Sequence, residues 1–360
     1  MSKNIKTISV SIIVPVYKVE KYIQRCVQSI LCQRNVDAFI ECIFVDDCSP
    51  DSSMDIVRKE LRLYDGPIVF LFIKHEENLG LSMARNNGLQ NASGDYIFFM
   101  DSDDYLLPNS MEYILGELKS HSGVDMIISN VKNCKDNSSV ICNIQEPTEI
   151  IDNTIIFRKL LNKELYAYAW NKLIKRDFLL ENKLYFEKGI LYEDILWSYF
   201  VFRNLTSVLV LPEVTYVYEY NPSSIVNAIY TREKVEKVLG SYIMICNKLL
   251  DSPPASDNSN IDFTVDYLLY IENVLMMAID MFLKYGSSSE SKIALYGVRR
   301  RLITRAITSC RLFLFLFFLL LYSPLNNLLN FSFFRKNYYK LTKIINRLAH
   351  LTDPFHIVFN

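Results

Sequence analysis

Residues 96–104 read YIFFMDSDD, five apolar or aromatic positions followed at once by Asp101, Ser102, Asp103 and Asp104. A short run apolar on both faces is the signature of a strand inside a parallel sheet, and the sudden change to carboxylates marks its carboxyl end. The same punctuation recurs upstream. Residues 8–16 lead into Tyr17 through Val14-Pro15-Val16, residues 39–45 end at Asp46-Asp47, and residues 68–73 run on to Asn78-Leu79-Gly80. Helical stripes fill the intervals. Val19, Tyr22, Ile23, Cys26, Val27, Ile30 and Leu31 recur every three or four residues, which lays them along one helix face. Ser49 before Pro50 predicts an N-cap with proline at the first helical position, opening a helix to about residue 63. A further helix is expected near residues 81–90. Alternation at this pace gives an α/β fold, a mostly parallel sheet with helices on both faces.

Beyond residue 107 the pattern predicts a helix at 109–119, a strand at 125–131 and a polar surface loop, KNCKDNSS. Residues 153–205 read as mainly helical and 208–220 as strand. Residues 231–309 read as helices broken by the loops DSPPASDNSN and GSSSES. Three regions follow: an α/β domain over 1–220, a helical extension over 221–290, and a basic amphipathic tail over 291–360. The tail carries eleven Lys/Arg and one acid, Asp353, leaving 28 basic against 39 acidic residues in the rest of the 360-residue chain. Within the tail, residues 312–322, LFLFLFFLLLY, form an apolar run well short of the roughly 20 residues a spanning helix needs. Flanking Arg and Lys make a membrane-associating segment, either an interfacial helix or a re-entrant one, the expected form, ahead of a buried core helix, and a spanning helix would have to bury Arg311.

The composition, 50% hydrophobic and 22% charged, excludes a disordered or low-complexity class. Eight cysteines form no C-x-x-C pair and stand mostly in apolar patterns, as expected of reduced thiols in a cytosolic setting. The start, MSKNIKTISV, has no uninterrupted apolar segment of the signal-peptide kind. A cytoplasmic location for the α/β domain is the expectation.

Ligands of such sheets bind outside the carboxyl ends of the strands. Five acids stand there in two clusters, Asp46 with Asp47, and Asp101 with Asp103 and Asp104. A lone carboxylate after a strand is an ordinary turn former, but five in close quarters repel one another and call for a counter-cation. Carboxylate and phosphate oxygens suit Mn²⁺ or Mg²⁺. No G-x-G-x-x-G follows the first strand and no P-loop motif occurs, so a nucleotide would be held by carboxylates, the metal and Arg85. The pair Glu193-Asp194 has two readings: a helix start favoured by the dipole, since ILWSYFVF follows, or a base on the acceptor side. The four histidines are scattered and form no ligand cluster. Tyr216, Tyr218 and Tyr220 alternate as on one strand face and read as packing, with carbohydrate stacking as the alternative.

Taken together and in order, IIVPVYKVEKYI, IFVDDCSPDSS, ENLGLSMARNNGL and YIFFMDSDDYLLP resemble the donor domain of family 2 glycosyltransferases, which have the GT-A fold. AWNKLIKRDFLL and GILYEDILW are similar to the acceptor half of that family's bacterial surface-polysaccharide members. The resemblance runs from residue 8 to about 215. It implies that Pro15, Tyr17 and Glu20 border the base and that Asp46 or Asp47 accepts the uracil N–H. It further implies that Arg85 faces the base or diphosphate, Asp101 meets the ribose, and Asp103, with Asp101, holds the metal on the diphosphate. Asp194 matches the catalytic base, and Trp170, Asn171 and Glu193 shape the sugar and acceptor pocket. The implied activity is inverting transfer from a nucleotide-diphosphate sugar, UDP-linked, to a lipid-linked saccharide, with the enzyme peripheral on the cytoplasmic face of the membrane and no nucleic-acid partner. Two departures stand out: Cys48 where glycine is usual, and Lys18 where asparagine is common. The alternative is a catalytically silent membrane-associated scaffold that binds nucleotide sugars. Loss of Asp103 or Asp194 would have marked it, and both are present. A nucleotidyltransferase would want a Gly-rich, Lys-bearing loop after the first strand, and VPVYKVEKY is not one.

Overall fold

The computed structural model describes residues 7–308 except 34–35, 122, 136–138, 141–143, 226–228 and 255–260. The apolar run 312–322 and the rest of the tail beyond 308 lie outside the described residues. The chain divides into two compact units, Met1–Ser241 and Tyr242–Asn360.

In the first unit β1 (Ser9–Val16), β2 (Phe39–Asp46), β3 (Val69–Lys74) and β4 (Tyr96–Phe99) pair in parallel in the order β3-β2-β1-β4. They are joined by α1 (Ile23–Leu31), α2 (Ser53–Leu61) and α3 (Leu81–Asn91). β1 and β2 are buried along almost their whole length, as their unbroken apolar runs require. Past β4 the sheet becomes mixed, where the sequence suggested a mostly parallel one. The short strand β5 (Tyr105–Leu106), α4 (Ser110–Ser120), β6 (Met126–Asn133), β7 (Ser139–Val140), β8 (Thr148–Ile150) and α5 (Asn153–Leu161) follow. β9 (Lys172–Lys175) then inserts antiparallel between β4 and β6. After α6 (Arg176–Glu181) and α7 (Glu193–Asn204), β10 (Val208–Tyr218) lies parallel to β6 and antiparallel to β5 and β8. The stretch expected to be a surface loop, 132–139, therefore starts as the end of β6 and ends in β7.

Two faces of the sheet are covered by different helices. Val10, Ile12, Val14, Phe44 and Phe98 meet α1, α2 and α4 in one core. On the opposite face α3 lies so close to β1 that a Cβ on Gly88 would stand 2.3 Å from Ile13 Cγ2. α7 shares that face, its Trp197 edge-on to Phe99 of β4 at 5.7 Å.

The second helix starts later than Ser49-Pro50 suggested. Its N-cap is Ser52, because Asp51 organises the preceding turn: it accepts from Ser49 Oγ at 2.7 Å, Ser53 Oγ at 2.6 Å and the Glu20 N–H at 3.1 Å. In the second unit α8 (Arg232–Asp251, which begins in the first), α9 (Ile261–Tyr285) and α10 (Ser289–Thr308) are the described elements. Arg301 of α10 donates to Asn247 Oδ1 at 2.6 Å and pairs with Asp251. Among the described residues no helix is long and apolar enough to cross a membrane.

Candidate active site

Gly88 decides where Arg85 goes. Three residues apart, they share one side of α3, and the close seat on β1 carries Arg85 to the carboxyl ends of the strands. There the buried guanidinium donates to Asp101 Oδ1 at 2.7 Å and to Glu193 Oε1 at 2.6 Å. Phe186 lies 5.2 Å beneath it. Asn86 fixes Phe186 from both sides, donating to its carbonyl and accepting from its N–H, each at 2.8 Å. Arginine thus joins a strand end to the first turn of α7, two segments 92 residues apart in sequence. Arg85 Nε is buried with no hydrogen-bond partner. Burial disfavours the charge of Arg85, but the carboxylates of Asp101 and Glu193 outweigh it and raise its pKa.

Around Arg85 the negative charge is in excess. Burial, then Glu193, pushes the Asp194 carboxyl up to about 7; its Oδ1 accepts the adjacent Ile195 N–H at 3.0 Å. Glu193 is also raised, burial outweighing its bridge to Arg85. Lys172, at the start of β9, donates Nζ to the Tyr168 carbonyl. Burial lowers it to about 7, against the pull of the Asp194 carboxylate.

Carboxylate oxygens of Asp101, Asp103 and Asp104 lie within 4.8 Å of one another. Burial, then Asp101, lifts Asp103 to about 6, a repulsion that a divalent cation would relieve. Three hard oxygen donors at this spacing fit Mg²⁺ or Mn²⁺. Asp104 is already spoken for, accepting from Tyr216 Oη at 2.7 Å and from the Glu219 N–H at 2.8 Å. Asp103 accepts from Asn221 Nδ2 at 2.9 Å. Asp101 and Asp103 therefore keep the oxygens an ion would use, and Asp104 with Tyr216 braces the turn.

The remaining predicted residues separate into open and occupied groups. Tyr17 is exposed, with Lys18 Nζ 5.1 Å from its ring centroid. Glu20 is exposed and accepts the Ser52 N–H at 3.2 Å. Pro15 is buried in β1 beside Val45. Asp46 uses Oδ1 for the Ser49 N–H at 2.8 Å. Asp47 is consumed by its own fold: it takes N–H groups of Leu79 at 2.8 Å and Gly80 at 2.9 Å, and His75 Nδ1 at 2.7 Å. His75 Nε2 meets Asn87 Nδ2 at 2.8 Å, so this histidine is a buried member of the loop clamp. Asn171 is equally occupied, donating to the Ser129 carbonyl at 2.8 Å and accepting from Thr215 Oγ1 at 3.1 Å. Trp170 stacks between Tyr168 at 4.7 Å and Tyr216 at 5.0 Å. Sequence reasoning counted Asp104 only among the clustered acids and Tyr216 only as packing, and gave no role to Asn221 or Lys172. The lysine, a charge inside the apolar stretch AWNKLI, was the one visible signal.

The glycosyl transferase family 2 profile matches residues 11–181. The uncharacterized glycosyltransferase EpsJ of Bacillus subtilis is 31% identical over 231 residues, 61% of this chain and 64% of EpsJ. The putative glycosyltransferase EpsH of the same organism is 30% identical over 242 residues, 66% of this chain and 68% of EpsH. The Staphylococcus aureus poly(ribitol-phosphate) beta-N-acetylglucosaminyltransferase TarS is 28% identical over 211 residues, 58% of this chain and 35% of TarS. The crystal structure of TarS 1-349 with UDP-GlcNAc superposes with a TM-score of 0.65 at 20% identity, covering 83% of this chain and 81% of that one. The chain thus spans a third to about two thirds of the length of these relatives, and the fold it shares with TarS is GT-A. Motif order, strand-end acids and relatives agree: the chain belongs to glycosyl transferase family 2.

Proposed function

We propose that this protein is an inverting glycosyltransferase that moves a sugar from a UDP-linked donor to a saccharide acceptor carried on a membrane lipid, in assembly of a surface polysaccharide. One observation carries the reading: Arg85 bridges Asp101 and Glu193, and this link between the strand-end acids and the Glu193-Asp194 pair supports a single site.

Inversion is a single displacement in which an acceptor hydroxyl attacks the anomeric carbon as the nucleoside diphosphate departs from the other face. The hydroxyl must lose its proton as the bond forms, and a base is most effective when its pKa lies near the working pH. Asp194, lifted to about 7 by burial and Glu193, meets that condition. Glu193 stays with Arg85 and holds the first turn of α7 against the strand end. Asp46 keeps one carboxylate oxygen for a uracil N–H, beside Pro15, Tyr17 and Glu20; Asp47 closes the loop that shapes this pocket. Asp101 and Asp103 would hold Mn²⁺ or Mg²⁺ on the donor diphosphate, where the ion neutralises charge developing on the leaving group. The UDP-GlcNAc complex of TarS supports a UDP donor. The basic tail with its apolar run supports a peripheral place on the cytoplasmic membrane face.

The test is release of UDP from a panel of UDP-sugars by the full chain with Mn²⁺, in the presence of lipid-linked saccharides. Donor titration of Asp103→Ala accompanies it. Metal-dependent transfer by the parent and loss of metal-dependent donor heat in a folded Asp103→Ala are expected; no transfer from any UDP-sugar would sink the reading.

A further inference from the structure

Residues 166–170 read YAYAW, aromatic and alanine in alternation. The backbone bends at Ala169 and Trp170, and the three rings still fall on one side. They form a column: Tyr166 and Tyr168 stack at 5.7 Å and 7°, Tyr168 and Trp170 at 4.7 Å and 7°, and Trp170 meets Tyr216 at 5.0 Å and Tyr218 at 5.8 Å. The column starts in the core, to which Trp170 and Tyr216 belong, and runs out of it. Trp170 and Tyr216 are buried, but Tyr168 is 39% exposed and Tyr166 and Tyr218 are half-buried.

The inner end of the column is at the site. Tyr216 Oη donates to Asp104 and accepts the Asp101 N–H at 3.1 Å, which ties the last ring to the strand-end acids. The column's flank is tied to α7. Ser198, four residues after Asp194 and so on the same helix face, donates Oγ to the Ala167 carbonyl at 2.7 Å. Lys172 Nζ donates to the Tyr168 carbonyl. The rings therefore start beside the strand-end acids, pass the face of α7 that carries Asp194, and reach the surface at the exposed Tyr168 and half-buried Tyr166.

We propose that Tyr166, Tyr168 and Trp170, with Tyr218, form an extended acceptor subsite that holds the second and further sugar units of a glycan chain while its terminal hydroxyl lies at Asp194. The proposal rests on the transferase reading above. A surface of apolar ring edges punctuated by phenol hydroxyls matches a saccharide, which presents C–H patches between hydroxyls. It is a poor match for a lipid chain, which would leave the hydroxyls unpaired. Tyrosine also loses little conformational freedom on binding, because it has only two side-chain torsions, and here they are already held by stacking. A row of rungs, each about the breadth of one sugar ring, selects an oligosaccharide over a single sugar.

The full chain, with Mn²⁺ and UDP, is applied to an array of printed bacterial surface oligosaccharides alongside their terminal monosaccharides. Retention of at least one glycan of two or more units, without retention of its terminal monosaccharide, is expected. Tyr168→Ala should weaken that retention about tenfold, the worth of one aromatic contact, with Tyr168→Phe close to the parent. Tyr166→Ala serves in its place if Tyr168→Ala melts early. Retention of no glycan, equal retention of monosaccharide, or parent-like retention by the alanine variants overturns the proposal. A titration with UDP-GlcNAc on the same samples separates the two levels. Donor heat without glycan retention removes the subsite alone, and glycan retention without donor heat keeps the subsite and removes the transferase reading. Absence of both removes both.

Discussion

Asp194 stands in the first turn of α7, where helix N-terminal amides favour a negative charge, yet burial and Glu193 push its carboxyl up to about 7. A base must be ionised to accept a proton, so transfer should fall about tenfold per pH unit below 7 and level off above it. Asp194→Asn should lower transfer by on the order of 10² to 10⁴, lose that limb, and leave donor affinity within a few-fold. The same shift acts against stability. Between about pH 4 and 7 the folded chain binds a proton that the unfolded chain has released, so stability falls as pH rises through that window. Thermal melts at pH 8 should therefore show Asp194→Asn melting above the parent; a variant that is both slower and less stable would mark a structural role instead. Two other residues carry strain of a different kind. Cys48 and Lys18 have φ of 55° and 54°, the left-handed region that costs a side chain roughly 1 kcal/mol or more. Cys48→Gly should raise the unfolding free energy by about 1 kcal/mol in urea titrations, since glycine adopts that φ freely. Both departures from the family pattern thus fall at left-handed turns. For Cys48 the preference for glycine made this readable in the sequence; for Lys18 the change from asparagine hid it.

At the level of elements, α3 is the piece on which the site depends. Gly88→Ala would drive a methyl to within 2.3 Å of Ile13 Cγ2, and overpacking of this kind costs about 1–3 kcal/mol. Because Arg85 lies one turn away on the same side, that shift should also loosen the bridge to Asp101 and Glu193. A lowered melting temperature with reduced transfer is the expected result, while unchanged transfer would mean that Arg85 does not rely on the seat of α3. The parallel half of the sheet was legible because β1, β2 and β4 are buried on both faces and end in polar punctuation. β9 was not legible. KLIK is four residues long with lysine at each end, too short and too charged to break the helical rhythm around it, and only its place between β4 and β6 makes it a strand. The acids at strand ends were legible as a group, but their division of labour was not. That Asp47 clamps residues 75–80 while Asp46 keeps an oxygen, or that Asp104 is held by Tyr216, depends on hydrogen bonds to residues far away in sequence.

On the scale of the whole molecule, charge is distributed unevenly. Eleven of 39 Lys/Arg lie in the last 70 residues with one acid, and the rest of the chain is net acidic. Part of this positive charge is engaged, since Arg301 pairs with Asp251. Arg335, Lys336 and Lys340 follow the apolar run 312–322. An eleven-residue helix would be about 16 Å long, about half the roughly 30 Å of hydrocarbon, so an interfacial place is the one we propose for this run. Each basic residue near an anionic leaflet contributes about 1 kcal/mol and is screened by salt within a Debye length. The full chain should therefore sediment with phosphatidylserine vesicles, less with neutral ones, and be partly released by added salt. Changing Arg335, Lys336 and Lys340 together to Gln should weaken vesicle binding by on the order of a hundredfold while donor binding in solution is untouched. Residual binding at high salt would report the apolar run. If the full chain ignores anionic vesicles, the run belongs to a protein core and the acceptor must be met away from the membrane surface.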